Sequence, residues 1–569
     1  MESAQRPWHK NYPPEIPVTM QYDKRPLHRF LEESSTLYGE KKALHFMGKE
    51  MTFSEVFKET QLFASYLQKL GIEKGDRVSV MLPNCPQSVI AYYGILMAGG
   101  IVVQTNPLYM ERELDYQLKD SGAKMIVCLD VLYPKVANVK PNTSLEHVIV
   151  TGIKDYLPFP KNKLYPFIQR RQYQLLVKPE QSHDTHLWKN ILKNSSGQVS
   201  PVDIDPVEDL ALLQYTGGTT GYPKGVMLSH YNLVANTQMS MAWMYKSQKG
   251  QEVVLAILPF FHVYGMTSVM NLSVMMGSKM ILMPKFEPED VLKAIEKQKP
   301  SLFPGAPTIY IALLNHPDLK KYDLSSIEAC ISGSAPLPVE VQENFEKITG
   351  GKLVEGYGLT ETSPVTHSNF IWGNRVNGSI GVPWPDTDAK IYNMETDEEV
   401  ELGEIGEIVV KGPQVMRGYW NRKEDTDQVL STEGWFRTGD MGYMNETGYF
   451  YVVDRKKDMI LAGGFNIYPR EVEEVLYEHE AVQEAVIIGV PDAYRGETVK
   501  AFIVKKQNMD VTEEDLNKFC RDNMAAFKVP RIYEFREELP KTAVGKILRR
   551  TLVDEEKKKL EETEPLQNS

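Results

Sequence analysis

The sequence predicts an α/β protein: a large N-terminal domain of layered α/β subdomains with a small β-barrel-like section, then a small mobile C-terminal α+β domain. Three observations carry this. Amphipathic helical stretches alternate with short apolar strand-like runs through the first half and beyond. After about residue 378 the pattern becomes short strands with Gly-rich turns. A charged break, DRKKD at 454–458, then precedes a second compact unit. The boundaries follow: 1–453 for the large domain, 454–458 for a hinge, 459–569 for the small domain. A chain of 569 residues exceeds what one ordinary core fills, so more than one domain is expected.

In chain order, TFSEVFKETQLFASYLQKLG has the spacing of an amphipathic helix, and DRVSVML is strand-like. SVIAYYGILMAG (helix), GIVVQTNP (strand), ERELDYQLKDSG (helix) and KMIVCLD (strand) continue the alternation of a mostly parallel sheet. VVLAILP, SKMILMP, PEDVLKAIEKQKP and KLVEGYG resume it. IGVPWPDTDAKIYN, GEIGEIVVKGPQVMRGYW and GWFRTGDMGYMNETGYFYVVDR read as a small all-β section. PREVEEVLYEHE and TEEDLNKFCRDNM are helices of the last unit, with strands VQEAVIIGVPD and ETVKAFIVKKQ between them. The tail EEKKKLEETEPLQNS is expected to be solvated and frayed.

Composition narrows the function classes. The chain is 42% apolar and 25% charged with a net charge of −12, an acidic balance that argues against nucleic acid as a partner. Its four cysteines are far apart and form no metal-ligand spacing, which fits a reducing compartment. The N-terminal MESAQRPWHKNYPPE lacks the apolar core of a signal peptide. The longest apolar run, residues 89–103, is too short for a span and contains a Gly-Gly pair, so it reads as a buried helix followed by a strand. A cytoplasmic location is expected, with room for a peripheral position at the inner face of the membrane.

Four segments carry chemistry. In YTGGTTGYPKGVMLSH (215–230), glycines free the backbone to present N–H groups, hydroxyls add donors and Lys224 adds a positive charge. Such a nest suits phosphate oxygens. It departs from the Walker A pattern, because Pro223 precedes the lysine and Gly225 follows it. EGYGLTETSP (355–364) offers Thr360 and Glu361 after a strand, and a carboxylate near phosphates calls for Mg²⁺ between them. RTGD (437–440) offers Asp440 to the hydroxyls of a ribose. LPKTAVGKILRR (539–550) places Lys546 behind a glycine, where it matters only if the small unit closes over the large one.

Together these segments resemble the adenylate-forming enzymes, and among them the bacterial long-chain fatty-acid–CoA ligases. LPFFHVYG, SGSAPLP, GYWNR and DRKKDMILAGGFNIYPREVE complete the pattern in family order over about residues 30–550. The resemblance implies ATP, Mg²⁺ and CoA as cofactor and cosubstrates and a long-chain fatty acid as substrate. It places the ATP and acyl sites in 1–453 and the adenylation lysine in 459–569.

By this resemblance Thr216, Gly217, Gly218, Thr219, Thr220, Gly221 and Lys224 hold the β- and γ-phosphates. Thr360 and Glu361 serve the α-phosphate and Mg²⁺, with Thr216 also on the metal. Tyr357 stacks near the adenine, which Gly333, Ser334, Ala335 and Pro336 line. Asp440 holds the ribose with help from Arg455, and Lys546 bridges the substrate carboxylate and α-phosphate. Lys457 falls at the hinge, and Gly463 and Gly464 form a loop that lets pantetheine pass.

His262, among aromatics in PFFHVYG, could be a satisfied core histidine; the resemblance implies that it lines the acyl site. Gly358 stands where acetate-activating relatives carry a tryptophan, which implies room for a chain. Met266 occupies the place of a tryptophan gate known in a long-chain type. Ligases for medium-chain or hydroxycinnamate-type acids share most of this pattern, as do luciferase-like enzymes and carrier-loading adenylation modules. A homodimer is compatible with the pattern. The segment 158–178 carries five basic residues, no acidic ones and several aromatics, which raises a weak peripheral contact with an anionic bilayer beside the plainer possibility of a solvated insert.

Overall fold

Apolar runs that are buried on both faces make a parallel sheet, and RVSVM, IVVQ and MIVCL are such runs. A computed structural model describes residues 6–173, 179–216, 223–462, 465–492, 495–507, 509–542 and 546–563. Its largest sheet has eight strands. Leu210–Thr216, Ile101–Gln104, Arg77–Met81, Met125–Leu129, His147–Thr151 and Thr185–Leu187 run parallel in that order. Lys224–Ser229 and Gly418–Tyr419 extend it antiparallel beyond Leu210–Thr216.

Helices cover this sheet for local reasons. Phe53–Lys69 starts at a capping box in which the Thr52 hydroxyl accepts from Glu55 N–H and the Glu55 carboxylate accepts from Thr52 N–H. Pro86–Met97, the helix read from the apolar run, is buried from Pro86 to Leu96 and leads into Ile101–Gln104. Among the described residues no helix is long and apolar enough to cross a membrane.

A second set of strands forms the order Val253–Ala256, Lys279–Leu282, Lys42–Phe46, Lys49–Thr52. The hairpin 42–52 in it was not anticipated from sequence. Bridges through Leu302 connect this group to Ala329–Ser332, Lys352–Gly358, Val365–Ser368 and Val382–Pro383. The all-β section is a four-stranded antiparallel sheet of Asp388–Tyr392, Gly406–Lys411, Phe436–Met444 and Phe450–Arg455.

Beyond it, Ile460–Ala462, Phe465–Ile467, Val482–Asp492, Gly496–Lys505 and Ile532–Arg536 make a five-stranded sheet. Helices Pro469–Tyr477 and Glu513–Asn523 accompany it. The main apolar core draws on residues from Trp8 to Phe450, whereas two further clusters draw only on residues from Ile460 onward.

One expectation is overturned. The tail read as frayed, residues 555–569, instead continues the helix Arg549–Thr563 over its described part, 555–563, although Lys557, Lys558 and Lys559 are exposed as expected. Leu552 is fully buried against Val486, Phe502 and Leu539. Lys500, itself buried, reaches Glu556 at 2.7 Å, and Arg536 reaches Glu555 at 2.7 Å. A run read as mere charge is held by partners far away in sequence.

Candidate active site

The glycine-rich motif begins and ends on neighbouring strands. Leu210–Thr216 pairs with Lys224–Ser229 so that Thr216 stands opposite Lys224. Leu212 and Leu213 are fully buried, and the Tyr215 hydroxyl donates to Asp120 at 2.6 Å. The closing Ser-His is structural: Ser229 caps helix His230–Trp243, and His230 Nδ1 accepts from Leu27 N–H at 3.1 Å. Gly217, Gly218, Thr219, Thr220 and Gly221 lie outside the described residues.

Lys224 Nζ lies 2.6 Å from Asp425 Oδ1 and 5.1 Å over the Tyr419 ring. Tyr419 pairs with Val226 across the sheet edge, and its hydroxyl donates to Glu361 Oε1 at 2.8 Å. Thr216, Lys224 and Glu361 therefore gather at one end of the sheet. Tyr419 and Asp425, which tie them together, had no assigned role from sequence, although GYWNR was recognised as a motif.

A second cluster forms where Lys352–Gly358 meets the antiparallel sheet. Asp440 is buried and stands opposite Arg455 in strand register. Its Oδ1 accepts the Arg455 Nε at 2.9 Å, and its Oδ2 accepts the Tyr357 hydroxyl at 2.6 Å. Burial and the Asp440 charge push the Tyr357 phenol well above its ordinary range, so it remains a donor. Tyr357 packs edge-on against His367. Thr360 and Glu361 follow in the short turn Thr360–Thr362.

Gly333, Ser334, Ala335 and Pro336 link the end of Ala329–Ser332 to helix Val339–Thr349. Gly333 N–H donates to the Gly305 carbonyl at 3.1 Å, and a Cβ at Gly333 would fall 2.9 Å from the Tyr264 ring. Ser334 adopts φ +72°, and its hydroxyl is buried without a partner among the described residues. That pairing of a left-handed backbone with an unsatisfied donor suits a nucleotide edge.

His262 and Lys546 face the same cleft. His262 Nδ1 accepts from Tyr264 N–H at 3.3 Å, which leaves the proton on Nε2. Burial first, then the Lys546 charge, lower its pKa to about 4, so the ring is neutral. Lys546 keeps one side open to water while protein crowds the rest of it, and its backbone N–H donates to the Thr542 hydroxyl at 3.1 Å. Its pKa falls to about 8, first through the Arg455 charge and then through burial, with Lys457 and Arg549 adding and Asp440 opposing.

Arg549 is bound by Asp454 at 3.4 Å, by Asp458 at 3.2 Å and by Glu473. Lys457 is exposed in the turn between Phe450–Arg455 and Ile460–Ala462. Gly463 and Gly464 lie outside the described residues.

With this geometry in hand, the comparisons with known proteins are direct. The family model described as AMP-binding enzyme matches residues 31–420, and that of the AMP-binding enzyme C-terminal domain matches 471–546. The chain belongs to the AMP-binding enzyme family. It is 57% identical over 554 residues to a long-chain-fatty-acid–CoA ligase of Bacillus subtilis, covering 97% of this chain and 98% of the relative. It is 41% identical over 561 residues to the enzyme so named in Escherichia coli O157:H7, covering 97% and 99%. Among solved structures, the anthranilate CoA ligase AuaEII in complex with anthranoyl-AMP matches with a TM-score of 0.84 at 28% identity, covering 96% and 99%.

For a member of this family the acyl side matters most. A Cβ at Gly358 would fall 2.1 Å from the Pro364 carbonyl oxygen, so backbone fills the space beside it. The glycine permits this close approach of backbone to backbone. Behind Tyr264 lies a small apolar cavity of about 30 Å³. Its wall includes Tyr264, Ser268, Leu272, Met276, Ile331 and Trp384.

Tyr264 and Ser268 belong to a π-helix, Tyr264–Asn271, a form frequent at functional sites. Met266 sits in that helix fully buried, and its N–H donates to the His262 carbonyl at 2.9 Å. The wall on this helix is formed by its neighbours Tyr264 and Ser268. Sequence reasoning missed Tyr264 and Ser268, whose only signal was their spacing beside His262.

Among the described residues no group of three His, Cys, Asp or Glu side chains gathers to hold a metal alone. One carboxylate, Glu361, with the Thr216 hydroxyl fits Mg²⁺, which keeps waters and phosphate oxygens as its other ligands.

Gly358→Ala is expected to cost about 1–3 kcal/mol, the range for forced overpacking, and to lower the thermal midpoint as well as activity. A scan of the purified variant checks this. A wild-type midpoint with an altered acid preference alone would place Gly358 in the pocket wall.

Proposed function

We propose that this protein activates a long-chain fatty acid with ATP and transfers it to CoA. The observation that carries the reading is the meeting of Lys546 with His262, Asp440 and Arg455 in one cleft. A carboxylate resists attack because it is negative and would have to expel oxide. In the first step its oxygen attacks the α-phosphorus of ATP, the bond from that phosphorus to the bridging oxygen breaks, and pyrophosphate leaves. Acyl-AMP remains. The CoA thiolate then attacks the acyl carbon, and AMP leaves with the electron pair of the acyl–oxygen bond.

The demand on the protein in the first step is alignment of two anions, more than proton transfer. Lys546 supplies charge between carboxylate and α-phosphate. His262, neutral with its Nε2–H free to donate, steadies the carboxylate without competing as a cation. Asp440 takes the ribose, with Arg455 and Tyr357 fixing its two oxygens. Thr216 and Lys224 stand where the outer phosphates lie. Glu361 and Thr216 would hold Mg²⁺, which supplies neutralisation of phosphate charge.

The domains divide this work, with 1–453 carrying ATP and acyl chain, and 459–569 turning on 454–458 to exchange Lys546 for the segment of Gly463 and Gly464. The names of the relatives support a long chain. The cavity must widen to admit one, which the flexible Met244 and Met276 in its wall allow.

Exposed Phe159, Leu164 and Phe167 beside Lys161 and Lys163 support peripheral contact with an anionic bilayer. Salt-sensitive binding to anionic vesicles, lost in Phe159→Ser/Phe167→Ser, is the expected result; equal binding by neutral vesicles would remove the contact.

ATP–pyrophosphate exchange measured with acetate, octanoate, palmitate and coumarate tests the substrate. Palmitate is expected to lead and acetate to fail, and a lead for coumarate would replace the long-chain reading with an aromatic one.

Lys546→Ala is expected to lower acyl-AMP formation by about 10²-fold or more, the loss typical of one removed electrostatic donor. Thioester formation from supplied acyl-AMP is expected to persist, and equal loss in both half-reactions contradicts the division. Because the lysine's pKa is depressed to about 8, its charged form dominates below that pH and disappears above it. The wild-type kcat/KM for ATP in adenylation should therefore fall as pH rises through about 8, and the residual activity of Lys546→Ala should lack that limb.

A further inference from the structure

Lys224 has a partner that the reaction does not require. Its ammonium lies 2.6 Å from Asp425 Oδ1. Asp425 sits in the first turn of the short helix Lys423–Val429, where Asp427 is taken by Lys423 at 2.7 Å. We propose that Asp425 is the resident counter-ion of Lys224 and a positioning residue for pyrophosphate exchange. The lysine leaves Asp425 for phosphate oxygens as ATP arrives and returns to it as pyrophosphate departs. This rests on the adenylation reading above.

Three features support the exchange. First, any phosphate that reaches Lys224 must displace a group of its own sign, so Asp425 weakens the grip on every polyphosphate alike. Secondly, the pair is breakable: the side chains are 23% and 32% exposed, whereas Asp440 under Arg455 is 5% exposed. Thirdly, the ammonium rests 5.1 Å over the Tyr419 ring, a face that tolerates its charge on either side of the move. That ring is itself fixed, with its hydroxyl on Glu361 at 2.8 Å and its N–H on the Thr426 hydroxyl at 2.9 Å. Only the flexible lysine stem has to swing.

The test compares pyrophosphate as a product inhibitor against ATP, and ATP affinity by equilibrium binding, in wild type and Asp425→Asn. Both ligands are expected to bind about two- to fivefold more tightly in the variant, the range for losing a solvent-exposed ion pair. Asp425→Ser should match it, and Asp425→Glu should restore wild-type values. In a Lys224→Met background Asp425→Asn should change neither constant.

Unchanged or weaker pyrophosphate binding in Asp425→Asn overturns the proposal. So does equal tightening without Lys224, which would make the effect a general field. Absence of ATP–pyrophosphate exchange with every acid in the wild type would instead fell the adenylation reading itself. Normal exchange with an unmoved pyrophosphate constant fells only the role of Asp425.

Discussion

The burial of one strand, Leu210–Thr216, orders most of the site. Its parallel neighbour Ile101–Gln104 and its antiparallel neighbour Lys224–Ser229 leave it no freedom of register, because a one-residue slip would exchange the faces of Leu212 and Leu213, which pack in different apolar clusters. Thr216 and Lys224 are thereby set opposite each other. Within the same strand Gln214 donates to the Phe261 carbonyl at 3.0 Å, which fixes the segment carrying His262. At the sheet edge Val226 pairs with Tyr419, and Tyr419 reaches Glu361. The residues proposed to serve phosphate, carboxylate and metal are thus referenced to one apolar core strand.

What was legible in the sequence follows from the range of the forces involved. Helix Phe53–Lys69 and strand Met125–Leu129 were readable because period and caps are local. Thr216, Lys224, Glu361, Asp440 and Lys546 were readable because their motifs are contiguous, each with its own short signature. Tyr419 and Asp425 were not, since their meaning depends on a strand pairing across nearly two hundred residues of chain.

The same limit explains what was not foreseen. The close approach of Pro364 to Gly358 was not visible, because a missing side chain says nothing about what backbone lies beside it. The tail looked frayed because Lys500 and Arg536, which receive Glu556 and Glu555, lie on strands of another sequence neighbourhood. In both cases local composition was read correctly and the distant partner decided the outcome.

Burial also sorts the charges of the site into fixed and movable sets. Asp440, nearly closed to water, holds Arg455 and Tyr357 with its two oxygens, and separating these groups would strand a buried carboxylate. Arg549 is likewise held among Asp454, Asp458 and Glu473. These are framework charges. Lys546 and Lys224 are different, since each keeps access to solvent on a long flexible stem.

Around Lys546 the Arg455 charge, then burial, then Lys457 and Arg549 depress its pKa against the opposing pull of Asp440, so cations crowd one another there. An arriving anion relieves that crowding, so the framework favours a phosphate and a carboxylate together over either alone. A site meant to join two anions needs such a gathering of fixed positive charge. It also needs cations at its edges that can change partners, because the same anions must leave when the bond has been made.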